Sequence, residues 1–148
     1  MEVYLTDKLS NGLEYILIEN KNIETCSINI KVNVGSINET PNIRGISHFI
    51  EHLVFKKSEK YENITDELNK IGVNGLNAST SHETTTYYCT MDKKYVTQCL
   101  EIYSQMLFFH LFDTNEINKE RNVIFEEMNK MKDNGNNYLY EFTYPQIF

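Results

Sequence analysis

Cys26-Ser27-Ile28-Asn29-Ile30-Lys31-Val32-Asn33-Val34 decides how this chain is read, because apolar and polar side chains alternate through it without a break. Strict alternation places one set on each face of a strand, so this strand belongs to a sheet with one wet and one covered face. Helices are the natural cover. Upstream, Asn11-Gly12 is a tight-turn signal between Val3 to Leu9 and Glu14 to Ile18, which predicts an opening β-hairpin. Downstream, Gly35-Ser36 ends the strand and Pro41-Asn42 marks a loop, after which Ile46, Phe49, Ile50, Leu53 and Val54 recur at helical spacing. Ile64 to Ile71 reads as a short helix closed by Gly72 and capped by Thr65. Gly75 to Thr80 and Thr84 to Met91 are β-rich runs joined by Ser81-His82-Glu83. Tyr95 to Phe112 and Asn115 to Lys132 are long helical segments, the first packing its Tyr95, Leu100, Tyr103, Met106, Leu107 stripe in the core and the second capped by Thr114. The expected order is β-β-β-α-α-β-β-α-α, an α+β fold with one mostly antiparallel sheet covered on one face by helices.

A chain of 148 residues is one domain's worth, and residues 1–148 are read as a single unit. A domain of this size buries about 68–70% of its unfolded surface, enough for a stable core. With 41% apolar and 24% charged residues the composition is that of a globular protein, and a net charge of −7 argues against nucleic acid as a partner. Cys26, Cys89 and Cys99 lack CxxC spacing, which predicts reduced and mostly buried thiols. The start, Met1 to Asp7, is neither a signal peptide nor an Arg-rich presequence. No run reaches the ~18 consecutive apolar residues of a membrane span. A cytoplasmic protein without membrane contact is therefore expected, with a mitochondrial setting left open.

The chemistry is concentrated in His48-Phe49-Ile50-Glu51-His52. Histidines four residues apart lie one turn above each other on a single helix face, so both imidazoles can reach one metal ion. Glu51, beside the second histidine, is placed for a water-activating base without serving as a ligand. This order, HxxEH, inverts the common HExxH arrangement. His82 and His110 have no partner at ligand spacing and are expected to be structural.

A catalytic zinc site usually takes three protein ligands and leaves a fourth position for water. The helix from Asn115 offers Glu116, Glu120, Glu126 and Glu127, with Val123, Ile124 and Met128 read as its inward face. Glu120 and Glu127 lie two turns apart on one stripe. Spacing alone does not choose between Glu126 and Glu127.

Four ordered blocks carry a resemblance that goes further. Gly35-Ser36-Ile37-Asn38-Glu39, Gly45 to Phe55 around the zinc motif, Asn77-Ala78-Ser79-Thr80-Ser81-His82-Glu83-Thr84 with Tyr87-Tyr88, and Glu120 to Met128 resemble the pitrilysin family of inverted-motif zinc metallopeptidases. The likeness is greatest to its mitochondrial processing peptidase and bacterial processing-protease branch, over nearly the whole chain from Leu5 onward. It implies Glu127 as the third zinc ligand and Glu120 as a further glutamate near the metal. Lys57-Ser58 departs from the Gly-Thr usual after the zinc helix, and a local loop change is expected there. Members of the family are normally much longer. That length, and an ending at Tyr144-Pro145-Gln146-Ile147-Phe148 that looks like the start of a further C-terminal helix, predicts that these residues are the N-terminal catalytic domain of a longer architecture.

The implied activity is that of a zinc endopeptidase acting on peptides or unfolded segments. One zinc ion on His48, His52 and Glu127 lowers the pKa of a bound water to ~7, and Glu51 takes its proton and later returns it to the leaving amine. Asn77, Ala78 and Ser79 would bind substrate as an edge strand by pairing with its backbone. The competing expectation is a zinc-binding but inactive fragment or subunit that needs a C-terminal domain or partner.

Overall fold

A computed structural model describes residues 3–133. The elements run β1 (Val3–Lys8), β2 (Glu14–Glu19), β3 (Thr25–Val32), α1 (Ile46–Leu53), β4 (Lys57–Ser58), α2 (Ile64–Lys70), β5 (Asn74–Thr80), β6 (Thr85–Asp92), α3 (Val96–Phe108), β7 (His110–Leu111) and α4 (Thr114–Asp133). The chain is α+β with antiparallel sheets, as the strand and helix periods predict. The further helix expected at Tyr144 to Phe148 lies outside the described residues.

The central sheet has the order β3-β6-β5, all antiparallel. Its register sets Cys26 opposite Met91, Ile28 opposite Cys89 and Ile30 opposite Tyr87, so the apolar positions of both strands share one face. Ile64 and Leu68 from α2 with Ile71 just after it, and Cys99, Ile102, Tyr103 and Met106 from α3, bury against that face. On the opposite face Ser27 and Thr90 hydroxyls meet at 2.8 Å, the wet side that the alternation implies. All three cysteines are free; Cys89 and Cys99 are buried with their sulfurs 3.7 Å apart, and Cys26 is half-buried.

Several local expectations are corrected. The strands form three sheets among the described residues rather than one, with β1 and β2 paired only to each other and β4 with β7 making a short ladder that no sequence period predicts. Tyr4, Leu5, Ile16, Leu17 and Ile18 are exposed on the β1–β2 hairpin, consecutive apolar positions that no single covered face can accommodate. The α2 cap is Asn63, whose Oδ1 accepts the Asp66 N–H at 3.1 Å, whereas the Thr65 hydroxyl donates to the Phe55 carbonyl. Asp113, not Thr114, serves the start of α4, accepting the N–H groups of Asn115 at 2.8 Å and Glu116 at 3.2 Å. α3 ends at Phe108, and Leu100 faces solvent while Cys99 and Ile102 take the core positions. On α4, Val123 and Met128 are exposed; the inward stripe is Ile117, Glu120, Ile124 and Glu127, spaced at three and four residues.

Candidate metal centre

α1 carries the His48–His52 motif, and a remote residue organises its start. Gly45 at the N-cap has a φ of 85° and no side chain to cap with. The Glu39 carboxylate does that work, accepting the Gly45 N–H at 2.7 Å and the Ser47 N–H at 2.9 Å. Partial burial pushes the Glu39 carboxyl up, but the Ser47 and Gly45 hydrogen bonds outweigh it and hold it below its ordinary value. The chain reaches Glu39 through a turn at Ser36–Asn38, anchored by Ser36 N–H to Ser81 carbonyl (3.2 Å) and Ile37 N–H to His82 carbonyl (2.9 Å). His82 is structural here, its Nδ1 lying 3.0 Å from the Ser36 hydroxyl. His110 sits half-buried in β7 and is not among the converging donors.

α4 packs against α1 and completes the donor set. Nε2 of His48 and Nε2 of His52 are 3.2 Å apart, and Oε2 of Glu127 lies 3.8 Å from the first and 3.6 Å from the second. Tetrahedral zinc with bonds of ~2.0–2.1 Å requires ligand atoms about 3.3 Å from one another, so these donors fit such an ion. Two imidazoles and a carboxylate also suit zinc chemically and leave one position open. Of the four glutamates that α4 offers, Glu127 is the one that converges with the histidines. Glu126 is exposed, and Glu116 pairs with Lys119 at 2.6 Å.

Glu120 lies behind this set. It is 6% exposed, and its Oε1 accepts from His52 Nδ1 at 2.9 Å. That bond puts the His52 proton on Nδ1 and leaves the Nε2 lone pair for a metal. Burial raises the Glu120 carboxyl, yet hydrogen bonds from Lys56, at 2.8 Å, and His52 hold it below the ordinary carboxylate value.

Glu51 is 7% exposed and lines the same cleft of about 470 Å³ as His48, His52, Glu120 and Glu127. The Thr80 hydroxyl donates to its Oε2. Tyr87 lies close by; burial, and then the Glu51 charge, pushes its phenol up to about 12, so it remains a neutral hydroxyl. Asn77 and Ala78 of β5 also line the cleft, joined by Leu76, while Ser79 is exposed and does not. Lys56, Thr80 and Glu39 are site residues that sequence reasoning missed. Lys56 had one legible signal, its position four residues after His52.

An α+β domain with an inverted HxxEH helix and a distal glutamate converging on one point belongs to the class of inverted-motif zinc metallopeptidases in its architecture. Residues 15–146 match the family described as Insulinase (Peptidase family M16), and the chain belongs to that family. It is 36% identical over 83% of its length to an uncharacterized zinc protease, YmxG, of Bacillus subtilis, covering 30% of that protein. It is 32% identical over 95% of its length to the mitochondrial-processing peptidase subunit beta of Rattus norvegicus, covering 29% of it. The crystal structure of a protease from Helicobacter pylori superposes with a TM-score of 0.86 at 26% identity, over 95% of this chain and 34% of that one. The chain thus spans about a third of the length of these relatives. None of its described helices is long and apolar enough to cross a membrane.

Proposed function

We propose that residues 1–148 form the N-terminal zinc-binding domain of a metalloendopeptidase that hydrolyses peptides or unfolded segments, with His48, His52 and Glu127 as ligands and Glu51 as general base. The observation that carries this reading is the convergence of those three donor atoms within 4.8 Å in the cleft that Glu51 lines. Zinc, when bound, supplies an acidified water and a polarising charge for the scissile carbonyl. Glu51 accepts the water's proton and returns it to the leaving amine. Thr80 occupies one Glu51 oxygen and so leaves the other for the water. Glu120 holds the His52 ring in orientation. The outer edge of β5 is unpaired among the described residues, and Asn77, Ala78 and Ser79 offer it to an extended peptide by β-augmentation. The decisive experiment replaces Glu51 by Gln and measures zinc content and peptide cleavage together. Stoichiometric zinc with cleavage lowered by at least ~10²-fold is the expected result. Cleavage at the parent rate would overturn the role of Glu51.

The chain's coverage of about a third of its relatives favours one competing reading, a zinc-binding subunit or fragment that is inactive until a C-terminal domain or partner joins it. Purified chain with one zinc and no cleavage, recovering activity when the C-terminal portion is supplied in trans, would select it.

A further inference from the structure

We propose that Lys56 is a positioning residue for the metal centre, acting on His52 through Glu120; the inference rests on the zinc reading above. The three side chains form a line from α1's exit to α4 and back. Lys56 Nζ lies 2.8 Å from Glu120 Oε2, and Glu120 Oε1 lies 2.9 Å from His52 Nδ1. The Lys56 backbone is fixed at both ends, its N–H donating to the Leu53 carbonyl at 3.0 Å and its carbonyl accepting from the Ile64 N–H at 2.8 Å. The lysine is thereby tied to the last turn of the motif helix and the first residue of α2.

The physical argument concerns the two oxygens of one buried carboxylate. A carboxylate held by a single hydrogen bond can turn about its Cγ–Cδ bond, and a buried charge without a counter-ion is costly. Lys56 supplies both a second donor and the opposite charge. With each oxygen engaged by a different partner, the carboxylate plane is set, and Oε1 is aimed at His52 Nδ1. The His52 ring follows, which directs Nε2 toward His48 and Glu127. Lys56 need not touch the metal or the substrate to have this effect.

The test measures zinc affinity of the purified chain by competition with a chromophoric chelator, for the parent, Lys56→Met, Lys56→Arg, Glu120→Gln and the Lys56→Met/Glu120→Gln double variant. Loss of Lys56 is expected to weaken zinc binding about tenfold, the effect typical of removing a group that orients a ligand. Lys56→Arg, which keeps the charge and donors, restores most of the affinity. In the Glu120→Gln background Lys56→Met adds no further loss, because its influence passes through that carboxylate. An unchanged affinity in Lys56→Met, or an equal loss in both backgrounds, overturns the inference while the zinc site stands. A Lys56→Met chain whose metal-free unfolding is weakened but whose folded form binds zinc normally marks a purely structural tie and likewise overturns it. Should Lys56→Met not fold, Lys56→Gln carries the same comparison. A parent chain that binds no zinc overturns the metal reading itself.

Discussion

Gly35 shows how little room surrounds the supports of the site. Its φ of −157° is ordinary extended backbone, so conformation does not demand glycine there. Space does. A Cβ would lie 2.4 Å from the Ser81 carbonyl oxygen and 2.6 Å from that of His82, both backbone atoms that cannot swing aside. Gly35→Ala is therefore expected to destabilise the chain by about 1–3 kcal/mol, read as a lower urea midpoint with an unchanged slope. An alanine variant of parental stability would show that the two segments are free to separate. Glu127 and Glu126 make the complementary point about legibility. They are neighbours in a run of glutamates, and only the packing of α4 on α1 turns one to the histidines and the other to solvent.

At the scale of the element, α1 depends on a cap that lies outside it. Replacing Glu39 by Gln removes the charged acceptor from the Gly45 and Ser47 amides, and a loss of about 1 kcal/mol is expected at neutral pH. Because the folded Glu39 carboxyl sits below its ordinary value of 4.5, the unfolded chain binds this proton more readily. The contribution is thus complete above that ordinary value and disappears as pH falls through the folded one. Urea titrations of the two proteins should differ at pH 7 and converge in acid; a difference that persists at low pH would refute the cap. In α2, Asn63→Ala should cost about 1 kcal/mol by the same equilibrium measurement, while Thr65→Val leaves the capping bond intact. Local rules found α2 and α4 but misplaced their caps, since Asn, Asp, Ser and Thr compete for one role within a few residues.

For the whole molecule, the metal would act as a cross-link. His48 and His52 come from α1 and Glu127 from α4, elements separated by the entire β5–β6–α3 core. Zinc at a hundred times its dissociation constant is expected to add about 2.7 kcal/mol to stability, and chelation to remove it. Thermal unfolding with and without chelator measures the difference, and Glu127→Gln should abolish most of it. An identical melting temperature in both conditions would mean that the donors do not hold a metal. The division of the strands also belongs to this scale. The alternation in β3 foretold a covered face, whereas the consecutive apolar residues of β1 and β2 fit no such face, and their hairpin pairs only with itself among the described residues.

The sequence by itself determined the existence of the elements whose periods are strong: the alternating strand β3, the helical segments, and the two histidines with their adjacent glutamate on one turn. Each rests on covalent spacing and helical or pleated repeat, which operate over a few residues. Tertiary structure decided what spacing cannot reach. It selected the inward stripe of α4, brought Glu127 within 4 Å of both histidines, and set Lys56 and Glu120 behind His52. Those relations depend on how α4 lies across α1, and that docking is set by burial over the whole core.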